Sequence, residues 1–134
     1  MIFPAEQAEK LWGFKVVRVP VDEKGFVDPD ILAAYIDEET ILVSIQMINH
    51  EIGTIQPIKD LVNVVKSINP NVIFHTDAAD AYGRIPIDVE NLGIDMMTIS
   101  GHKIHGPRGV GVLYVRSGIE IESIIYGQLS TEKK

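Results

Sequence analysis

The chain has 134 residues, enough for one core and one domain, and its 46% hydrophobic and 23% charged content is ordinary for a globular protein. A formal net charge of −7 argues against a nucleic-acid surface, which needs clustered Lys and Arg, and no apolar run reaches the roughly 18 residues of a membrane span. With no cysteine, disulfides, thiolate metal sites and cysteine nucleophiles are excluded.

Apolar runs alternate with amphipathic segments, the pattern of an α/β protein. Pro4 to Trp12 reads as a helix with Ala5, Ala8, Leu11 and Trp12 on one face, and Gly13 can end it. Lys15 to Val19 reads as a short strand, and Val21 to Val27 as a polar connection. Asp28-Pro29 is a helix start, an N-cap followed by proline at the first helical position, for a helix to about Ile36. Ile41 to Met47 is mostly β-branched and apolar and predicts a buried strand. Pro57 opens a helix with an apolar stripe of Ile58, Leu61, Val62, Val65 and Ile68, stopped by Asn69-Pro70-Asn71. Strands follow at Val72–His75, Asp95–Ile99 and Val110–Val115, with one helical turn at Val89–Gly93. Trp12 and the Met96-Met97 pair read as core. The N-terminus has no basic region, apolar stretch and cleavage site in sequence, so the cytoplasm is the default expectation.

The strands beginning at Ile41, Val72 and Asp95 each end in a polar loop: Asn49-His50-Glu51, Thr76-Asp77-Ala78 and Ser100 to Lys103. Ligands of open α/β sheets bind outside the carboxyl ends of strands, so these loops are expected at one rim. Lys103, between a strand end and a glycine-rich loop, is well placed to form a Schiff base. Ser100, His102 and the loop N–H groups offer phosphate donors, and the Asp77 carboxylate can pair with a pyridinium nitrogen. Pyridoxal phosphate needs that combination. Plainer roles stand beside these: a surface lysine at 103, a cap at Asp77 and a turn asparagine at Asn49. His102 and His105 lack the further ligands of a zinc site, and His75 reads as packed or cofactor-facing.

Three stretches carry a family resemblance: Phe74-His75-Thr76-Asp77-Ala78-Ala79, Ser100-Gly101-His102-Lys103 and Asn49-His50-Glu51-Ile52-Gly53. The chain resembles the cysteine desulfurase branch of the class V aminotransferases, of PLP fold type I, from about Leu11 to Gly127. The resemblance implies part of a large PLP-binding domain, with a mainly parallel sheet, flanking helices and a final antiparallel strand. It gives Lys103 the cofactor aldehyde and proton transfer at the substrate α-carbon. It gives Asp77 the pyridine nitrogen, Ser100 and His102 the phosphate, and Asn49 the neighbourhood of the phenolic oxygen and substrate carboxylate. His50 stands where the family has a second asparagine. Asp80 stands where the family usually has glutamine or histidine donating to that phenolic oxygen. An ionised aspartate has no proton to donate, so Asp80 is protonated, points away, or impairs the site.

The implied activity is sulfur release from L-cysteine through a Schiff base on Lys103, feeding iron–sulfur cluster assembly. A sulfur-acceptor or scaffold protein is the implied partner, in a homo-oligomer, with neither nucleic acid nor membrane. Selenocysteine lyase and class V transaminase are the related alternatives, and a non-catalytic PLP-binding or self-associating remnant is another. Full-length members are much longer, and the chain corresponds to the middle of their large domain. The phosphate loop upstream, and the small domain with its arginine and persulfide cysteine downstream, have no counterpart in it. Residues 1–134 are therefore expected to be a single partial domain, inactive alone. The Gly127–Glu132 segment resembles, in shortened form, one that lends a threonine, here Thr131, to the partner's phosphate.

Overall fold

The computed structural model describes residues 2–122, so the Gly127–Glu132 segment and Thr131 lie outside the described residues. A four-stranded sheet forms the centre, in spatial order β1 (Leu42–Gln46), β2 (Ile73–Asp77), β3 (Met96–Ser100) and β4 (Gly111–Val115). The first three strands are parallel and β4 returns antiparallel to β3. The helices are α1 (Ile2–Trp12), α2 (Pro29–Ala33), α3 (Ile58–Ile68) and α4 (Val89–Leu92). The expected fold class, mainly parallel with a last antiparallel strand, is what forms.

Local chemistry explains the element starts. Asp28 accepts from the Asp30 and Ile31 N–H groups ahead of Pro29, and Asp88 accepts from Glu90 and Asn91. Gly93 closes α4 in the left-handed region at φ 71°, and Gly13 does the same for α1 at φ 74°. The helix from Asp28 is shorter than its pattern suggested. Past Ala33 its backbone bonds tighten to i−3, as in Tyr35 N–H to Leu32 O.

The core lies on one sheet face. Val43, Ile45, Phe74, Thr76 and Met97 point there and meet Ile58, Leu61, Val62 and Val65 of α3. Register puts Ser44, His75, Asp77, Thr98 and Ser100 on the opposite face, which stays half-open. That asymmetry corrects several expectations. Leu42 is 52% exposed because it points to the uncovered face of β1, an edge strand, and Ile41, just ahead of the strand, is 59% exposed. Ile68, the last residue of the α3 stripe, is 45% exposed. Met97 is core but Met96 is only half-buried, since it points to the open face. Trp12 is 71% exposed and Leu11 65%, so the apolar face of α1 is not core among the described residues. Lys15–Val19 forms no strand. Its β-branched residues favour extension, but no described strand pairs with it, and propensity alone does not make a ladder.

Buried polar groups tie the layers together. Asp95 is 6% exposed and accepts from Lys66 Nζ at 2.5 Å and from the Phe74 N–H at 2.8 Å, with Arg116 Nε 3.6 Å away. Gln56, also buried, accepts from the Val27 N–H and donates to Gly25 O, anchoring the connection before α2. No described helix is long and apolar enough to cross a membrane.

Candidate active site

The parallel ladder fixes the rim. Gln46 is opposite Asp77, and Asp77 is opposite Thr98, so β1, β2 and β3 end side by side. Parallel strands all point their carboxyl ends the same way, which is why the three polar loops gather as expected. The Met47 N–H donates to Asp77 O, and the Ala78 N–H donates to Thr98 O, closing the ladder at its end.

Asp77 is the last residue of β2 and is half-buried. Its Oδ1 accepts from the Ala79 N–H at 2.9 Å, so the carboxylate also braces the turn that follows. This turn runs through Ala78 to Ile85 and carries Asp80 and Arg84. His75, two residues earlier on the same face, shares a hydrogen bond of 2.7 Å between Nδ1 and Ser44 Oγ. Burial pushes the His75 imidazole below its ordinary value, and the charge of Asp77 opposes that only in part, favouring a neutral ring at neutral pH.

The lysine loop is a 3₁₀ turn, Gly101–Ile104, inserted between β3 and β4. Ser100 Oγ and His102 Nδ1 are 2.8 Å apart, which places both polar groups at the same corner. His105 closes the turn at φ 64°, a left-handed position that costs a histidine more than a glycine. Gly106 then donates back to Gly101 O at 2.9 Å, and a Cβ at Gly106 would sit 2.8 Å from that oxygen. No side chain fits there, so the loop is folded tightly on its own backbone.

Lys103 Nζ donates to Asp80 Oδ1 at 2.9 Å, and Arg84 Nη1 lies 3.6 Å from the same oxygen. The Lys103 hydrogen bond holds the Asp80 carboxyl below the usual carboxylate range. Burial opposes this, and the charges of Lys103, Arg84 and His50 reinforce it. Of the three states open to Asp80 in the sequence, protonation is therefore removed: it is an anion bound to the lysine.

Asn49 closes the loop after β1. Its Oδ1 accepts from the Glu51 and Ile52 N–H groups at 2.9 and 3.1 Å, the turn role, while its Nδ2 takes no part in that turn. His50 is exposed yet close enough for its charge to act on Asp80. Sequence reasoning missed Arg84 and the Ser44–His75 pair. The i, i+4 spacing of Asp80 and Arg84 was the available signal for the first. The second needed the strand register. Two open grooves, one along Val115–Glu122 and one between Pro20, Phe26, Pro29 and Pro57, contain none of these residues. No cluster of three or more metal-ligating side chains occurs among the described residues.

Known proteins match most of the chain. The family model for class-V aminotransferases matches residues 1–127. The cysteine desulfurase IscS of Dictyoglomus turgidum is 48% identical over 124 residues, 92% of this chain and 31% of that protein. A probable mitochondrial cysteine desulfurase of Dictyostelium discoideum is 50% identical over 117 residues, 86% of this chain and 26% of that one. A solved NifS-like protein superposes with a TM-score of 0.88 at 42% identity, covering 94% of this chain and 34% of the other. The chain thus spans about a third of the length of the proteins it matches.

Proposed function

The chain belongs to the class-V aminotransferase family, and on that premise we propose that it is the middle of the cofactor-binding domain of a PLP-dependent cysteine desulfurase. One observation carries the reading: the ends of β2 and β3 bring an amine, a carboxylate, a hydroxyl and an imidazole to one rim. That donor set fits pyridoxal phosphate. Lys103 would hold its aldehyde, Asp77 its ring nitrogen, and Ser100 with His102 its phosphate. Asn49 has an amide donor left over from its turn. When bound, the cofactor supplies an electron sink for the α-carbon of an amino acid.

The substrate class is cysteine, as the name of the matched desulfurases suggests and as a matched structure described as SspA in complex with cysteine also suggests. Iron–sulfur cluster assembly, a sulfur-acceptor or scaffold partner, a homo-oligomer and a cytoplasmic setting complete the reading; the relatives also include mitochondrial proteins. A second reading, a remnant that binds the cofactor or self-associates without catalysis, is favoured by the half-open sheet face and the lack of cysteine.

Mixing the chain with pyridoxal phosphate and then borohydride tests the assignment. A single pyridoxyl label on Lys103, lost in Lys103→Ala and weakened in Asp77→Ala, is the expected outcome. Label scattered over the other lysines, with the total unchanged in Lys103→Ala, would count decisively against a formed site.

A further inference from the structure

Lys103 is held at the rim by a carboxylate. Its Nζ is 2.9 Å from Asp80 Oδ1, with side-chain exposures of 32% and 14%, so the pair is partly shielded from water. A charge-assisted bond in that setting is stronger than an exposed surface pair. We infer that Asp80 is a latch that holds Lys103 Nζ in a hydrogen bond and slows its capture of any aldehyde. The inference rests on Lys103 being the aldehyde-capturing amine.

The chemistry explains the conflict. An amine attacks a carbonyl carbon through its lone pair, and an ammonium has none to offer. For capture, one proton leaves Nζ for solvent, the Nζ–C bond forms, and the carbonyl oxygen departs as water. Asp80 does not act as the base, because the groups around it keep its carboxyl ionised and a poor proton acceptor. Those groups are Lys103 from the 3₁₀ turn, Arg84 from its own turn and His50 from the loop after β1. Arg84 shares the oxygen that Lys103 uses, so it loosens the latch. The residue acts on the lysine alone, which makes it a positioning residue for the proposed reaction.

Reductive methylation with formaldehyde and cyanoborohydride at neutral pH reads this directly, with methyl incorporation at each lysine followed by peptide mass mapping. Exposed Lys24 is the internal reference. In Asp80→Asn, Lys103 is expected to label about fivefold faster relative to Lys24, the discounted worth of one partly shielded charge-assisted bond. Asp80→Ala should give the same rise, which covers the case of an asparagine that re-forms a bond. Arg84→Gln should slow Lys103 further. An unchanged Lys103-to-Lys24 ratio in both Asp80 variants overturns the latch. So does a rise shared by all lysines, the mark of a loosened fold, or a faster Lys103 in Arg84→Gln. Formaldehyde needs no cofactor pocket, so the latch can fail while cofactor binding stands, and the reverse.

Discussion

Supplied with pyridoxal phosphate, cysteine and a reductant, the 134-residue chain is expected to release sulfide and alanine no faster than free cofactor. The persulfide step needs a thiolate nucleophile, and the chain has no cysteine. Orientation of the substrate is expected to be weak as well: Arg116 is committed to Glu90 and to the carbonyls of Val89 and Ile94, Arg84 faces Asp80, Arg18 pairs with Glu6, and Arg108 of the lysine loop is exposed. Holding a reactant in place can supply about 7–11 kcal/mol of a barrier, so losing it costs many orders of magnitude in rate. Asp80 adds a further defect, since as an anion it has no proton for the phenolic oxygen of a bound cofactor. Sulfide assayed against a free-cofactor blank decides the matter. Turnover well above the blank, abolished by Lys103→Ala, would sink the argument.

The second large effect is on stability. Asp95→Ala is expected to destabilise the fold by about 2–4 kcal/mol, measured as a lower urea midpoint. The carboxylate is almost fully buried and serves Lys66, the Phe74 N–H and Arg116 together. Removing one member of a buried ion network leaves its partners unpaired, which costs about 3–5 kcal/mol in a closed interior. Lys66 and Arg116 are each more than a quarter exposed and can turn to water, which trims the figure. Deleting Glu6, whose pair with Arg18 lies on the surface, should move the midpoint by less than about 1 kcal/mol. Equal effects at the two positions would show that the Asp95 network is not the tie between α3, β2 and the end of β4.

The parts legible in the sequence were those set by local chemistry. Asp28-Pro29, Asp88 and Gly93 mark helix ends because a capping oxygen or a left-handed glycine acts within a few residues. Strand positions followed from apolar runs, and the common rim followed from their order. Lys15–Val19 and Trp12 were misread because pairing and burial depend on what lies across space. The fate of Leu42 depended on β1 being an edge with one uncovered face. The site shows the same division. Asp77, Ser100 and Lys103 were placed by strand ends, whereas the Asp80–Lys103 bond joins residues 23 positions apart and needed the turn after β2 to be seen folded.

The direction of β4 also bears on the order in which the molecule assembles. Ser100 meets Gly111 across one tight loop, while Ser44 meets His75 across 31 residues. Closing the longer loop costs about 1 kcal/mol more chain entropy, so the β3–β4 hairpin can register before the parallel ladder is complete. Lys103 sits inside that hairpin. Its tight backbone turn is then an early product of folding, and the carboxylates of Asp77 and Asp80 arrive later with β2. Pulse-labelled hydrogen exchange would see the Gly101 and Gly106 amides protected ahead of those of β1 and β2; the opposite order would place the ladder first.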